Sequence, residues 1–217
     1  MRKEERFRYV LDYFRRNRPN AETELHYTEP YQLVVAVILS AQCTDKRVNI
    51  ITPNFFRRFP DAASLAVAEI ADVFELVRSC SYPNNKTKNL IGMAKALVDN
   101  YHGVLPSSID ELQKIPGIGR KTANVLGSVL FNLPALAVDT HVFRVSARIG
   151  LTTNARNPLQ TEQQLIRYIP ENLRSIAHHW LILHGRYVCT ARNPKCSECG
   201  LIAVCRFYLT NQATKIC

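Results

Sequence analysis

Apolar residues recur at intervals of three and four positions along most of this 217-residue chain, and prolines separate the segments in which they do so. This periodicity predicts amphipathic helices, and because alternating strand patterns are scarce, the fold class that we expect is all-α. Near the N-terminus, Phe7, Val10, Leu11 and Phe14 have the spacing of one docked helical face. Residues 33–39 form the longest apolar run; their β-branched side chains would suit a strand, but the length of the run favours a buried central helix.

The pattern around residue 115 predicts two helices joined by a tight turn. Ser108 and Glu111 have the spacing of a capping box, which would begin a first helix that runs through Lys114. Pro116 would stop that helix, because proline cannot continue its hydrogen-bond ladder. Apolar residues at helical spacing then predict a second helix that begins near Arg120.

The turn between these two helices contains Gly117 and Gly119, which permit positive φ and leave backbone N–H groups uncovered. Such amides, together with the positive end of the second helix at Arg120, favour a phosphate group and need no base edge. The spacing fits neither a dinucleotide-binding fingerprint nor a Walker loop. An ordinary turn between two helices, with no ligand, is the alternative at this point, since a lone Gly-x-Gly is not specific.

Four of the seven cysteines fall together, separated by six, two and five residues: Cys189, Cys196, Cys199 and Cys205. This is the spacing of metal ligands, and the basic side chains of Arg192 and Lys195 within the segment would stabilise thiolates. Disulfide bonds are less favoured, since the N-terminus does not resemble a secretory signal. Four thiolates suit either a zinc ion or an iron-sulfur cluster, and the spacing alone does not choose between them.

The charge balance points to a polyanionic partner. The chain has 28 Lys and Arg residues against 18 Asp and Glu residues, a net charge of +10, and an isoelectric point of about 9.4. Its longest apolar run is far shorter than the roughly 20 residues that a membrane-spanning helix needs, so we expect no membrane association. Residues 1–6 lack the apolar core of a signal peptide and include acidic residues, which predicts a cytoplasmic protein.

Two residues near the glycine turn could carry chemistry. Lys121 stands beside Arg120 at the start of the second helix, where the helix dipole and the neighbouring charge both favour a neutral amine. A neutral amine can attack an electrophilic sugar carbon and form a Schiff base. Asp139 follows an apolar stretch and begins the next helix, which predicts an N-cap. It is also the candidate carboxylate for stabilising positive charge on the sugar and for moving protons.

Four segments together resemble the helix-hairpin-helix DNA glycosylase superfamily and, within it, the bacterial endonuclease III family. They read SAQCTD at residues 40–45, GIGRKTANV at residues 117–125, VDTHV at residues 138–142 and HHWLILHGRY at residues 178–187, and with the cysteines they extend over nearly the whole chain. The resemblance implies a six-helix barrel domain with the helix-hairpin-helix at residues 23–133. It also implies a discontinuous helical domain, at residues 1–22 and 134–217, that carries an iron-sulfur cluster.

The same resemblance implies a base excision repair enzyme that removes oxidised or ring-saturated pyrimidines from duplex DNA. Such an enzyme is a bifunctional DNA glycosylase and abasic-site lyase, which cuts the strand by β-elimination. Lys121 would be the Schiff-base nucleophile and Asp139 its acidic partner, in a cleft between the two domains. The four clustered cysteines would hold one 4Fe-4S cluster rather than zinc.

Further DNA contacts are implied by the resemblance. Gln42 matches the residue that fills the gap left by an extruded nucleotide, since the glycosidic carbon is inaccessible in the base stack. Tyr82 aligns with the residue that wedges the opposite strand, although residues 81–86 depart from the commoner family pattern. Arg192 and Lys195 match a cluster loop that presents basic side chains to phosphate.

Two other functions compete with this interpretation. A monofunctional mismatch glycosylase of the same fold usually lacks the lysine of the hairpin, and adenine-removing enzymes carry a glutamate where this chain has Val34 to Val37. A non-catalytic DNA-binding or redox-sensing protein would use the hairpin as an anchor only. We expect the protein to act as a monomer on damaged double-stranded DNA, at the nucleoid.

Overall fold

The computed structural model of the protein describes residues 1–213. Within these residues the chain forms twelve α-helices and no β-strand, which confirms the predicted all-α class. In chain order the helices are α1 (Lys3–Asn17), α2 (Pro30–Ser40), α3 (Asp45–Arg58), α4 (Ala62–Ala66), α5 (Ile70–Val77), α6 (Pro83–Tyr101), α7 (Ile109–Leu112), α8 (Arg120–Phe131), α9 (Thr140–Ile149), α10 (Pro158–Leu165), α11 (Arg174–Tyr187) and α12 (Arg206–Ala213). Short 3₁₀ turns lie at Glu171–Leu173 and Cys196–Glu198. No helix in the described part of the chain is long and apolar enough to cross a membrane.

The chain folds into two compact units. One unit consists of residues 24–131 and holds α2 to α8. The other consists of residues 1–23 together with those from 132 onward, and holds α1 and α9 to α12. The second unit is therefore discontinuous in sequence, because its first helix precedes the whole of the other unit.

Helix α2 lies at the centre of the unit formed by residues 24–131. Pro30 occupies its first turn, where the fixed φ of proline suits a helix start. All seven residues from 33 to 39 are buried, and α3, α6 and α8 pack against the helix. A helix that is apolar on every side is stable only when other elements surround it. The central helix predicted from this run is thus confirmed.

The unit formed by the two ends of the described chain is centred on α11. The predicted apolar face of α1 is buried there, and the Phe14 ring stacks on Trp180 with ring centroids 5.8 Å apart. The indole N–H of Trp180 donates a hydrogen bond to the carbonyl oxygen of Arg18 at 2.7 Å. Helix α11 also packs against α9. Their approach requires Gly185, since a Cβ at this position would lie 2.8 Å from the Cβ of His141.

The capping box predicted before the glycine turn is wrong. Helix α7 is the short segment Ile109–Leu112 rather than a helix through Lys114, and the Ser108 side chain makes no capping hydrogen bond. The Glu111 carboxylate instead accepts hydrogen bonds from the hydroxyl of Tyr101 and from the ammonium group of Lys114. A carboxylate satisfied by these partners does not reach back to the start of its own helix.

Candidate functional site

The turn between α7 and α8 has a backbone that requires glycine at position 117. Gly117 has a φ of +80°, in the left-handed region. The space beside it is also filled, because a Cβ on Gly117 would lie 2.9 Å from the Cβ of Asn89. Ile115 and Ile118 on either side are buried and anchor the turn to its unit. The path of the turn is therefore fixed by both backbone conformation and packing.

Gly119 has the opposite surroundings. No heavy atom lies within 4 Å of a Cβ placed on this residue, so its backbone is open to an approaching group. Helix α8 begins at the next residue, and the first amides of a helix have no partner within the helix. The side chains of Arg120 and Lys121 are both exposed here. Open backbone, a helix N-terminus and two cations are groups that attract an anion such as phosphate.

Asp139 has the local structure that its position predicts. It is the N-cap of α9, and its Oδ1 accepts a hydrogen bond from the backbone N–H of Val142 at 2.8 Å. Within residues 1–213 its second carboxylate oxygen accepts no hydrogen bond, so that oxygen can serve a ligand. The buried stretch before it is held by His178, whose Nδ1–H donates to the carbonyl oxygen of Ala137 at 2.9 Å. Asp139 thus combines a capping role with an available oxygen.

The two predicted catalytic residues are contributed by different units. Lys121 belongs to the unit of residues 24–131, at the N-terminus of α8. Asp139 belongs to the discontinuous unit, at the N-terminus of α9. Each side chain is therefore presented by the first turn of a helix, and each helix is anchored in the core of its own unit by buried apolar residues.

Gln42 and Tyr82 lie in two neighbouring connections of one unit. Both are exposed, and both have a left-handed backbone, with φ of 55° and 56°. Gln42 follows the end of α2, and Tyr82 directly precedes α6. The hydroxyl of Ser81 donates a hydrogen bond to the carbonyl oxygen of Gln42 at 2.6 Å, which brings the two connections together. The sequence indicated the two residues but not this contact.

The four predicted metal ligands line one pocket of the discontinuous unit. Cys189, Cys196, Cys199 and Cys205 all contribute to it, and none of them forms a disulfide bond. Apolar side chains such as Leu201 and Ile149 line the rest of the pocket. The structure therefore brings together four thiols that are spread over 17 residues of sequence.

The chemistry of the pocket fits a metal cluster held by thiolates. Burial raises the pKa of the Cys199 and Cys205 thiols, and the negative charges of the neighbouring cysteines raise the pKa further. A bound cationic centre would offset both effects, because a coordinating thiol is deprotonated. Within residues 1–213 no three His, Cys, Asp or Glu side chains converge on a single ion. A cluster of several irons binds thiolates around its periphery, and four thiols surround this pocket.

Two arginines that the sequence analysis did not single out hold the cysteine segment in place. The Arg144 guanidinium donates hydrogen bonds to the carbonyl oxygens of Cys189 and Gly185. The Arg148 guanidinium donates to the carbonyl oxygens of Thr190 and Ala191, at 2.6 and 2.7 Å. The sequence does indicate that the two arginines lie on the same face of α9, because they are four positions apart. Their targets are backbone atoms, which no motif specifies.

The remaining predicted contacts with DNA lie on the surface of the cysteine segment. Arg192 and Lys195 are both exposed, and Lys195 also borders the cysteine pocket. His184 is buried beside that pocket with its Nε2 3.6 Å from the Sγ of Cys199, and burial lowers its pKa to about 4. His179 is likewise buried, and desolvation with the charge of Arg186 lowers its pKa to about 4. His178 and His179 are therefore packed structural residues of α11.

Comparisons with known proteins agree with these features. Residues 35–171 match the model of the HhH-GPD superfamily base excision DNA repair proteins, and residues 189–205 match the iron-sulfur binding domain of endonuclease III. The chain is 44% identical to endonuclease III of Bacillus subtilis over 87% of its length and 86% of that protein. It is 36% identical to endonuclease III of Escherichia coli, covering 91% and 93% of the two chains. A trapped covalent endonuclease III–DNA intermediate superposes with a TM-score of 0.93 at 40% identity, over 98% of this chain and 100% of that one.

Proposed function

The chain belongs to the endonuclease III family of HhH-GPD base excision DNA repair proteins, and from this premise we propose which of its residues act on DNA. It is a bifunctional DNA glycosylase and abasic-site lyase that removes oxidised or ring-saturated pyrimidines from duplex DNA. The assignment of residues rests mainly on one observation. Lys121 is exposed in the first turn of α8, two residues after the open backbone of Gly119.

The proposed reaction begins with nucleophilic attack by Lys121. Its neutral Nζ attacks C1′ of the damaged nucleotide, the bond from C1′ to the base breaks, and the base leaves with the electron pair and takes up a proton. The sugar ring then opens to give an imine between Nζ and C1′. Removal of a proton from C2′ breaks the C3′–O bond by β-elimination, which cuts the strand on the 3′ side. A relative has been trapped as a covalent complex with DNA, which supports a lysine adduct of this kind.

Asp139 is the proposed partner of the lysine. The carboxylate oxygen that is not used in the cap would stabilise positive charge on the sugar as the glycosidic bond breaks, and would accept a proton. The other oxygen remains bonded to the N–H of Val142, so the carboxylate keeps one orientation throughout the reaction. Capping and chemistry are thus compatible in one side chain.

The protein carries one 4Fe-4S cluster, and we propose that Cys189, Cys196, Cys199 and Cys205 are its ligands. When bound, the cluster cross-links the segment that follows α11 and contributes its binding energy to folding. The exposed Arg192 and Lys195 lie between the first two ligands, so a bound cluster would also order these side chains. We assign these two side chains to DNA phosphates.

We propose two further groups of DNA contacts. The turn at Gly117 and Gly119, together with Arg120, binds a phosphate near the lesion without reading its sequence. Gln42 fills the space left by the extruded nucleotide, and Tyr82 inserts from its own connection into the opposite strand. In this arrangement the unit of residues 24–131 is the barrel domain with the helix-hairpin-helix, and the discontinuous unit is the cluster domain. The enzyme acts as a monomer in the cytoplasm, at the nucleoid.

Borohydride trapping tests this assignment. The protein is incubated with duplexes that carry thymine glycol or an abasic site, and borohydride reduces any imine to a stable amine that links protein and DNA. We expect an adduct with both duplexes, which disappears in Lys121→Ala and persists in the matched control Lys114→Ala, an exposed lysine of the same turn. An adduct that survives in Lys121→Ala would overturn the nucleophile assignment. Binding without any adduct or cleavage would favour the non-catalytic DNA-binding protein.

A further inference from the structure

The connections that carry Gln42 and Tyr82 contain backbone strain. A left-handed conformation is unfavourable for any residue with a Cβ, and both residues adopt it while their side chains are exposed to solvent. The Tyr82 side chain in particular is 67% exposed, so its own packing does not hold the backbone in place. Such conformations persist only where neighbouring contacts hold them. The contacts around these two residues must therefore hold their backbone in this conformation.

One of these contacts is the hydrogen bond from the Ser81 hydroxyl to the carbonyl oxygen of Gln42. At 2.6 Å it is short for a hydroxyl donor. Ser81 directly precedes Tyr82, so this bond joins the connection after α2 to the connection before α6. The two exposed side chains are thus tied to each other through backbone and hydroxyl atoms.

A second contact comes from Lys86, in the first turns of α6. This lysine is only 4% exposed, and its ammonium group donates a hydrogen bond to the carbonyl oxygen of Leu39 at 2.7 Å. Leu39 lies in the last turn of α2, three residues before Gln42. Carbonyl groups at a helix C-terminus lack a partner within the helix and attract a positive charge. Lys86 therefore fixes the position at which the chain leaves α2.

The hydrogen bond to Leu39 is the main interaction that can explain why the ammonium group of Lys86 is buried. Within the described residues its ammonium has no carboxylate partner, and the titratable groups close to it are the thiols of Cys80 and Cys43. Burying an ammonium group is costly unless hydrogen bonds replace its lost hydration. The charge is thus matched to one target, the carbonyl oxygen at the end of α2.

We propose that Lys86 is a positioning residue for nucleotide extrusion. By holding the Leu39 carbonyl it fixes the end of α2 and hence Gln42, and Ser81 couples Tyr82 to the same support. The inference rests on the proposed function, in which Gln42 fills the gap and Tyr82 enters the opposite strand. Because Lys86 is buried, it would act through the backbone of α2 and not by contact with DNA. Its contribution is that the two inserting side chains are already in place before the duplex is opened.

The test compares a lesion that is costly to extrude with one that is not. Thymine glycol is placed either in a fully paired duplex or within three consecutive mismatches, where extrusion needs less energy. Excision is measured in single turnover at saturating enzyme. We expect Lys86→Met to lower the rate by about tenfold on the paired duplex and by less than about twofold on the mismatched one, as for other losses of preorganised geometry. Ser81→Ala, which removes only an exposed hydroxyl, should act in the same direction.

Lys88→Met is the matched control, because Lys88 is an exposed lysine of the same helix and should leave both rates unchanged. Equal losses on both duplexes in a folded Lys86→Met, or no loss, would overturn the proposal. If Lys86→Met does not fold, the excision rates of Ser81→Ala on the paired and mismatched duplexes test the proposal instead. Failure of the proposed function has a different signature, since the unaltered protein would then excise neither lesion.

Discussion

Replacing the two glycines of the turn by alanine should separate folding from DNA binding. Gly117→Ala forces a Cβ into a left-handed backbone, which costs about 1–2 kcal/mol. The new Cβ would also lie 2.9 Å from the Cβ of Asn89, and overpacking of this kind adds about 1–3 kcal/mol. The free energy of unfolding should therefore fall by about 2–5 kcal/mol. Gly119→Ala meets no atom within 4 Å and should change the stability little.

Gly103→Ala provides the control that isolates the backbone contribution. Gly103 has a φ of +79°, almost the value of Gly117, but a Cβ there would meet nothing within 4 Å. The free energy of unfolding of this variant should fall only by the cost of the left-handed backbone, about 1–2 kcal/mol. Urea unfolding of the three variants should consequently rank them with Gly117→Ala least stable, then Gly103→Ala, then Gly119→Ala.

DNA affinity should rank the same variants differently. The Cβ of Gly119→Ala occupies the open space through which a phosphate approaches the amides of α8, so we expect about tenfold weaker binding, the value of one good hydrogen bond. Gly103→Ala should bind like the unaltered protein. Fluorescence anisotropy with an abasic-site duplex measures the DNA affinity of each variant. If Gly119→Ala binds normally, or if it unfolds as easily as Gly117→Ala, the distinction between a structural and a ligand-binding glycine is wrong.

Three further predictions follow from the geometry of other residues. Asp139→Asn should keep the cap and the DNA affinity, since asparagine also caps helices well, but lose excision by about 100-fold or more in a glycosylase assay; parallel loss of affinity would point to a cap alone. Because burial lowers the pKa of His179 to about 4 from 6.5, its neutral form stabilises the fold above pH 6.5, and about 3 kcal/mol should be lost as the pH falls towards 4. Urea unfolding of His179→Gln should show a flatter pH dependence in that window, and an unchanged slope would contradict the assignment. Replacing Arg192 and Lys195 together by alanine should lower the slope of log Kd against log salt by about two, whereas an unchanged slope would remove these side chains from the phosphate contacts.

The sequence predicted elements where one physical effect dominates. Residues 33–39 are apolar at every position, and burial from all sides is the arrangement that satisfies such a helix. Asp139 was predicted as a cap because an aspartate at the start of an apolar periodic segment has few other local roles. The four cysteines were predicted to lie together from spacing, and the structure places all of them around one pocket. These inferences needed only local pattern.

The sequence did not predict contacts that depend on tertiary neighbours. The predicted capping box does not form, because the Glu111 carboxylate accepts a hydrogen bond from Tyr101, a residue of another helix. Lys86 has the sequence signature of an ordinary surface lysine, and only the fold places its ammonium beneath the end of α2. Arg144 and Arg148 likewise bind backbone oxygens, about 40 residues away, that no motif encodes. Long-range polar contacts to the backbone leave no periodic trace in a sequence.

The discontinuous unit has a consequence for synthesis on the ribosome. The Trp180 indole that receives α1 is 162 residues downstream of its hydrogen-bond partner Arg18. At about 5–20 residues per second, translation takes on the order of ten seconds or more to cover that distance. During this time the α2–α8 unit can emerge and fold. Phe14 and the other apolar residues of α1 stay exposed until α11 has been synthesised. The nascent chain therefore exposes the apolar face of α1 for seconds. A chaperone that binds this face during that interval would protect the chain from aggregation.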